Sequence, residues 1–250
     1  MKTLITGATG FVGAAVLRQL LKKGHNVKAL IRQSSILDNL KNLDVEIVEG
    51  DLKDRDSLRR CLKDCNYLFH VAADYRLWVP KPEEIYQNNV TGTKNLMEEA
   101  LDSEIEKVVY TSSVAVLGKP INGDVANEKT LVNLNQMIGH YKKSKFLAEE
   151  KVKELYKKRR LPVVIVNPAA PVGPRDIKPT PTGKMILDAA MKKIPAYLDT
   201  GLNIVHVDDV AKGHMQAFNN GKLGERYILG GENLTLKEML EIISILCGNK

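Results

Sequence analysis

Apolar residues along the chain repeat at two alternating spacings, one typical of buried strands and one typical of helices. Short apolar runs predict strands at Lys2–Thr6, Asn26–Ile31, Val45–Val48, Tyr67–Ala72, Lys107–Thr111 and Leu161–Val166. Helical spacing between them predicts helices at Phe11–Lys22, Ser35–Leu40, Asp54–Cys61, Pro82–Leu101 and Asn135–Arg159. Strands that alternate with helices form parallel crossovers, so we predict an α/β fold with one doubly wound parallel sheet. Ligands of such folds bind at the carboxyl ends of the strands.

The character of the sequence changes after Pro168. A proline-rich stretch at 168–183 predicts a loop that covers part of the molecule. The sheet is then expected to resume with Gly201–Val207, followed by a helix at Asp208–Asn219, a strand at Glu225–Leu229 and a helix at Thr235–Cys247. We therefore expect a main domain of residues 1–167 continued by 201–230, with 168–200 and 231–250 forming a smaller region beside it.

Three glycines follow the first predicted strand and open the first helix, at Gly7, Gly10 and Gly13 in TLITGATGFVG. In this context they allow a tight turn, close approach of a pyrophosphate, and close packing of the helix on the strand. The free N–H groups where Phe11 and Val12 begin the helix, with the positive end of its dipole, then hold phosphates. The pattern predicts a dinucleotide cofactor; the alternative is a structural turn without a ligand.

Arg32 stands at the end of the second strand, where an acidic residue would bind the adenosine ribose of NAD. A guanidinium suits a 2′-phosphate instead, and Ser34 and Ser35 add donors. The sequence therefore predicts NADP(H) in preference to NAD(H), which stays open. A solvated arginine at a strand end is the alternative interpretation.

Residues at the ends of the third and fourth strands are candidates for contact with the adenine. Asp51 and Leu52 follow the third strand, and Ala72 and Ala73 end the fourth. Asp51 is equally placed to cap the helix that starts near Asp54.

Tyr141 and Lys145 stand four residues apart in GHYKKSKFLAEE, so they project from the same face of the predicted helix. A nearby ammonium favours the phenolate, so we expect it to lower the pKa of Tyr141 from its ordinary value of about 10. Tyr141 is then a candidate general acid or base. Because this spacing is frequent by chance, a surface tyrosine is the alternative.

Several spaced segments together carry a family resemblance: GATGFVG, GDL, NNVTGTKNL, YTSSVAVLG, YKKSK and HVDDVA. This set resembles the extended short-chain dehydrogenase/reductases, which have the Rossmann fold. The segments HVAADYRLW, MIGHYKKSKFLAE, PRDIKPTPTG and RYILGGENLTL are similar to hopanoid-associated sugar epimerases, relatives of the dihydroflavonol reductases. On this resemblance the main domain binds the dinucleotide, and 168–200 with 231–250 form a partial substrate-binding region.

The resemblance also implies roles for individual residues. Ser113 would hydrogen-bond the substrate oxygen, Tyr141 would exchange a proton with it, and Lys145 would also hold the nicotinamide ribose. Asn89 would brace the active-site helix, and Pro168 would lie near the nicotinamide. Dimerisation would use the helices Pro82–Leu101 and Asn135–Arg159.

The sequence departs from the family pattern in two ways. Val114 and Ala115 follow Ser113 where dehydratases carry an acidic residue, so dehydration is disfavoured. The chain also ends well before family members do, which predicts an open substrate pocket, with poor turnover or the need for a partner. Three functions remain: a carbonyl reductase or alcohol dehydrogenase using NADP(H), a nucleotide-sugar epimerase with tightly bound NAD, and a dinucleotide-binding protein without catalysis.

Composition and charge bear on which partners the protein binds and where it is located. The formal net charge is +7, but the lysines and arginines are scattered over predicted helix surfaces and only 5% of residues are aromatic, so nucleic-acid binding is disfavoured. The apolar runs are too short for a membrane span, and no secretory signal opens the chain, which indicates a cytoplasmic protein. Three cysteines without metal-ligand spacing predict neither a zinc site nor a disulfide framework. The expected partner is a small-molecule substrate.

Overall fold

A computed structural model describes residues 1–118 and 125–248 of the chain. The strands are β1 Lys2–Thr6, β2 Asn26–Ile31, β3 Glu46–Glu49, β4 Tyr67–His70, β5 Lys107–Thr111, β6 Val163–Pro168, β7 Ala170–Val172, β8 Gly201–His206, β9 Arg226–Leu229 and β10 Glu232–Thr235. The helices are α1 Phe11–Lys22, α2 Arg55–Leu62, α3 Pro82–Tyr86, α4 Gly92–Asp102, α5 His140–Arg159, α6 Pro181–Ala190, α7 Val207–Asn220 and α8 Leu236–Leu246.

Seven strands form the main sheet, in the order β3-β2-β1-β4-β5-β6-β9, and all neighbouring strands are parallel. The strand order reverses direction between β1 and β4, which creates the crevice where ligands of doubly wound sheets bind. The predicted fold class is thereby confirmed. The carboxyl ends of β1, β4, β5 and β6 meet along one edge of the sheet.

Apolar side chains fill both faces of the sheet because central parallel strands are buried on both sides. One core contains Leu58 of α2, Leu96 of α4 and Val152 of α5. The opposite core contains Leu17 of α1 and Met215 of α7. Helix α5, which carries the predicted Tyr141 and Lys145, is therefore fixed against the sheet by its apolar stripe.

The two long predicted helices are each interrupted. The helix predicted at Pro82–Leu101 consists of α3, a π-helical turn at Gln87–Thr91, and α4. The helix predicted from Asn135 instead begins at His140, since Gly139 has a φ of +82° and breaks the backbone before it. Apolar spacing alone reveals neither break.

A second, three-stranded sheet has the order β10-β8-β7. The prediction that the main sheet resumes with Gly201–Val207 is wrong, because β8 pairs with β7 and β10, while β9 occupies the main-sheet position beside β6. The proline-rich stretch was predicted as loop, yet it contains β7 and the start of α6. Within the described ranges 1–118 and 125–248, no helix has the length and apolar character to cross a membrane.

Candidate functional site

The turn between β1 and α1 requires glycine at two positions. Gly7 has a φ of +75°, and a Cβ there would lie 2.7 Å from the backbone nitrogen of Ala72. At Gly13 a Cβ would lie 2.0 Å from the carbonyl oxygen of Gly7. The turn closes with a 2.9 Å hydrogen bond from the Gly10 N–H to the Gly7 carbonyl. The backbone is thus folded tightly against the end of β4, where a side chain would not fit.

The start of α1 has the features of an anion-binding helix terminus. Gly10 is the N-cap and supplies no side-chain cap, and the first turn contains no acidic residue. Phe11 is buried and Val12 is half-buried, so their side chains anchor the turn. The N–H groups at the start of a helix have no intrahelical partner and stay available for a phosphate.

Asn39 holds the glycine turn from the other side. Its side-chain amide donates to the carbonyl of Thr9 at 3.1 Å and to that of Arg175 at 3.2 Å. Arg175 in turn forms an ion pair with Asp208 at the start of α7. The sequence pattern identified the glycines but not these supporting residues, because they come from three distant segments of the chain.

Arg32 follows β2 and is exposed. Its backbone N–H donates to the Ser35 hydroxyl at 3.0 Å, so Ser35 orders the turn that presents the guanidinium. Within residues 1–118 and 125–248, the guanidinium of Arg32 has no hydrogen-bond or ion-pair partner. It is available for an anionic group, and the structure brings it into no contact with the glycine turn.

The residues predicted around an adenine have separate local roles. The Asp51 carboxylate accepts from the Lys53 N–H at 2.8 Å, whereas Asp54 caps α2, so the alternative of Asp51 as that helix cap is wrong. Leu52 packs against Gly92 at the start of α4. The N–H of Ala72 donates to the Thr6 hydroxyl at 3.2 Å, which fixes it beside Gly7.

Ala73 follows the half-buried Ala72 and is exposed beyond the carboxyl end of β4. Of this predicted group, Ala72 is brought directly against the glycine turn, while no contact of the Asp51 side chain with that turn is present. The structure therefore supports a phosphate site at the glycine turn more strongly than it supports the predicted adenine contacts.

Ser113 and Tyr141 meet at the carboxyl end of β5. Ser113 precedes a short 3-10 turn at Val114–Val116 and its hydroxyl accepts from the Ala115 N–H at 3.1 Å. Burial raises the pKa of the Tyr141 phenol, and a hydrogen bond with Ser113 partly opposes that rise. We predicted a lowered pKa, and this prediction is wrong for the protein without cofactor, because the burial of the phenol outweighs the opposing effect.

Lys145 is buried, and its ammonium is directed toward β5. Its Nζ donates to the Thr111 carbonyl at 2.9 Å and to the Tyr110 hydroxyl at 3.3 Å. Burial lowers the pKa of Lys145 to about 8, and the negative charge of Glu149 opposes this shift. The ammonium of Lys145 is thus hydrogen-bonded to two residues at the end of β5.

Asn89 connects three parts of the site from within the π-helical turn. Its side chain accepts from the Asp74 N–H at 2.7 Å and donates to the Asp74 carbonyl at 2.8 Å. It also donates to the Ser144 hydroxyl at 2.9 Å. The loop after β4 and helix α5 are therefore held together through one buried amide.

Pro168 ends β6 and is buried beside the same edge of the sheet. The preceding Asn167 donates its side-chain amide to the Ser113 carbonyl and to the Glu149 carboxylate, at 3.0 Å each. The strand end that carries Pro168 is thus tied to Ser113. His70, within β4, is hydrogen-bonded through both ring nitrogens, to Thr6 and Thr93.

Glu149 was missed from the sequence. It is buried on α5 and accepts from the Ser112 hydroxyl at 2.5 Å, from Lys153 at 2.7 Å and from Arg226 at 3.1 Å. Burial alone would raise the pKa of Glu149, but Lys153 and the hydrogen bonds from Ser112 and Asn167 hold it below its ordinary value. Its position four residues after Lys145 was the available signal, because that spacing returns to the same helix face.

The chain matches the sequence profile of a family described as the NAD dependent epimerase/dehydratase family, over residues 3–230. A Synechocystis protein provisionally named dihydroflavonol 4-reductase is 46% identical over 248 residues, which cover 98% of this chain and 72% of that protein. Sterol demethylase protein B of Methylococcus capsulatus is 38% identical over 249 residues, covering 100% of this chain and 75% of that protein.

The crystal structure of gox2253 superimposes on this chain with a TM-score of 0.96 at 55% identity. The superposition covers 99% of this chain and 75% of that one.

Proposed function

The chain belongs to the NAD dependent epimerase/dehydratase family, and from that premise we propose that it is an NADP(H)-dependent oxidoreductase of the extended short-chain dehydrogenase type. It reduces a carbonyl group, or oxidises an alcohol, of a bulky hydroxy compound. One observation carries the proposal: helix α5 places Tyr141 beside Ser113 at the end of β5 and, one turn further on, the buried Lys145, whose Nζ donates to the Thr111 carbonyl.

The glycine turn between β1 and α1 fits the phosphates of a dinucleotide. Gly7 and Gly13 leave no room for a Cβ, and the first turn of α1 has neither a side-chain cap nor an acidic residue to compete with a phosphate. The exposed guanidinium of Arg32, which has no partner among the described residues, supports a 2′-phosphate and hence NADP(H) over NAD(H). Gly7, Gly10, Phe11, Val12 and Gly13 would hold the pyrophosphate.

The chain's own residues manage the proton. When bound, the reduced nicotinamide supplies a hydride to the carbonyl carbon. Tyr141 gives its phenolic proton to the carbonyl oxygen, and the Ser113 hydroxyl donates a hydrogen bond to the same oxygen. The ordinary pKa of a phenol is about 10 and burial raises that of Tyr141, so Tyr141 holds its proton at neutral pH, as a general acid in the reduction requires. The phenolate left behind takes a proton from solvent.

Lys145 carries the positive charge of the site. Below its pKa of about 8 the ammonium is charged, and it would hold the hydroxyls of the nicotinamide ribose while stabilising negative charge on Tyr141. Val114 and Ala115 follow Ser113 without a carboxylate, which supports redox chemistry over dehydration.

The small sheet and helices α6 and α8 are the part that we assign to substrate binding. The Tyr75 hydroxyl donates to the Lys178 carbonyl at 3.5 Å, which joins the loop after β4 to the loop before α6. Trp78 lies in the former loop and is 79% exposed, so it is a candidate contact for a bulky apolar substrate.

The second candidate function is a nucleotide-sugar epimerase, which the family description favours. Such an enzyme oxidises and reduces the same carbon and retains its cofactor. The test is to purify the protein, identify any bound cofactor by absorbance and mass, and titrate NADPH against NADH. Loosely bound NADPH of higher affinity supports the reductase, and NAD that survives purification supports the epimerase. Binding of neither cofactor contradicts both.

A further inference from the structure

Two side chains of α5 hold the end of β5, one helical turn apart. Lys145 donates to the carbonyl of Thr111, and Glu149 accepts from the hydroxyl of Ser112. The next residue of the strand end is Ser113. Helix α5 therefore holds the strand end directly before Ser113 through one backbone contact and one side-chain contact, and the same helix carries Tyr141.

Glu149 also reaches Ser113 through a second route. Its Oε2 accepts from the Asn167 amide, and that amide donates to the Ser113 carbonyl, at 3.0 Å each. The ends of β5 and β6 are thus drawn to a single carboxylate oxygen. The carbonyl of Ser113 is thereby linked to this carboxylate through one shared amide.

The other carboxylate oxygen faces two cations. Lys153 lies 2.7 Å and Arg226 3.1 Å from Oε1. Arg226 also donates to the carbonyls of Glu128 and Thr130, at 2.8 and 3.2 Å. These contacts keep Glu149 ionised and fixed, although its side chain is only 2% exposed.

We propose that Glu149 is a positioning residue: its buried carboxylate sets the placement of Ser113 against Tyr141 and supplies the counter-charge to Lys145. The proposal rests on the proposed function, in which these three residues act on the carbonyl oxygen. The carboxylate is not assigned a contact with substrate or cofactor. A buried ion pair is weak evidence of stability alone, which gives a reason to look for its effect on the site instead.

Besides the Thr111 carbonyl, three titratable groups among residues 1–118 and 125–248 interact with Lys145. They are the Tyr110 hydroxyl on β5, His70 on β4 and Glu149 on its own helix. Of these, Glu149 is the one whose charge raises the pKa of Lys145. Removing the charge is therefore expected to lower that pKa below about 8.

The decisive variant is Glu149→Gln, with Glu150→Gln as the matched control. Glu150 is the exposed neighbour and also pairs with Lys153, at 3.1 Å, but contacts neither Ser112 nor Asn167. Ser112→Ala is a second variant that removes the hydrogen bond and keeps the charge. The readouts are kcat and KM with NADPH and a carbonyl substrate, and NMR of protein labelled with ¹³C at the Lys Cε and Tyr Cζ positions.

We expect Glu149→Gln to lower kcat about tenfold or more, because small displacements of catalytic groups are costly, and to leave the KM for NADPH within about twofold. The Lys145 resonance titrates at lower pH in Glu149→Gln and is unchanged in Ser112→Ala. The Tyr141 resonance, assigned with Tyr141→Phe, shifts in both. Glu150→Gln behaves as the unsubstituted protein.

Unchanged kcat and unchanged Tyr141 and Lys145 resonances in folded Glu149→Gln would overturn the proposal. If Glu149→Gln does not fold, Ser112→Ala decides: an unshifted Tyr141 resonance with full kcat overturns it. Absence of turnover in the unsubstituted protein is a failure of the proposed function, and the two NMR readouts then still decide the role of Glu149.

Discussion

The amide of Asn89 donates to the hydroxyl of Ser144 at 2.9 Å, and that hydroxyl donates to the carbonyl of Tyr141 at 2.8 Å. A buried residue between α3 and α4 is thereby linked to the first turn of α5. The same amide holds both backbone groups of Asp74. The loop after β4 and the helix that carries Tyr141 therefore depend on one side chain.

Asn89→Ala is expected to lower the free energy of unfolding by about 3 kcal/mol, because it removes the partner of both backbone groups of Asp74 and one hydrogen bond of the buried Ser144 hydroxyl. The matched control is Asn88→Ala, since Asn88 makes one side-chain hydrogen bond, to Asp74 at 3.1 Å, and is less buried. Its expected cost is below about 1 kcal/mol. Urea unfolding measures both, and equal losses would contradict the bracing role.

Gly10→Ala separates cofactor binding from folding. A Cβ at Gly10 would lie 3.3 Å from the Gly7 carbonyl oxygen, which a small shift accommodates, whereas at Gly13 the distance would be 2.0 Å. We expect Gly10→Ala to fold and to bind NADPH at least about tenfold more weakly, a loss of about 1.4 kcal/mol, because the methyl group obstructs the pyrophosphate. Gly13→Ala is expected to be strongly destabilised.

Calorimetric titration with NADPH and urea unfolding of each variant provide the comparison for the glycines. Wild-type affinity in folded Gly10→Ala would show that the pyrophosphate does not approach this position.

Arg32→Glu tests the predicted cofactor preference. The carboxylate repels a 2′-phosphate and accepts hydrogen bonds from ribose hydroxyls, so the affinity for NADPH should fall about tenfold or more while that for NADH rises. Arg60→Glu on α2 is the control for the change in net charge, since Arg60 is also exposed. Equal affinities for NADPH in the two variants would rule out a 2′-phosphate site at Arg32.

Acid should destabilise the protein through two buried histidines. Burial lowers the pKa of His70 to about 3 and that of His214 to about 4. Both stay neutral in the folded state near pH 5, whereas the unfolded chain takes up protons below about 6.5. Stability is therefore lost as the pH falls from about 6.5 toward the folded values. At pH 5 each histidine costs about 2 kcal/mol relative to pH 7.

Urea unfolding at pH 7 and pH 5 measures this loss. His214→Gln should reduce the difference between the two pH values by about 2 kcal/mol. An unreduced difference in His214→Gln would show that His214 does not contribute.

The centre of the main sheet was predictable because β4, β5 and β6 are buried almost throughout, so each is a largely apolar run between helical segments. Three other features of the fold escaped prediction. The backbone at Gly139 ends one helical pattern, and the turn at Gln87–Thr91 widens another without changing the apolar spacing. The partners of β8 depend on long-range pairing with β7 and β10, which no local pattern encodes.

The sequence identified the site residues that belong to a motif of fixed spacing. It did not identify residues whose role depends on contacts between distant segments. Gly7, Ser113 and Tyr141 stand in recognisable spacings, and the structure places each at the expected edge of the sheet. Glu149 was overlooked because KFLAEE offers two adjacent glutamates, and only the spacing of four residues from Lys145 indicated which of them is buried. The direction of the Tyr141 pKa shift was wrong because it depends on burial, which spacing does not give.

The central claim is that Tyr141 gives the proton in a hydride transfer from NADPH to a carbonyl compound. The most direct measurement is a stopped-flow record of NADPH absorbance on mixing the loaded protein with a dihydroflavonol, for the unsubstituted chain, Tyr141→Phe and Tyr156→Phe. Tyr156 lies at the far end of the same helix and controls for loss of a phenol. The account predicts oxidation of NADPH in the unsubstituted chain and in Tyr156→Phe. In Tyr141→Phe it predicts a rate at least about 100-fold lower. Equal rates in all three proteins would contradict it.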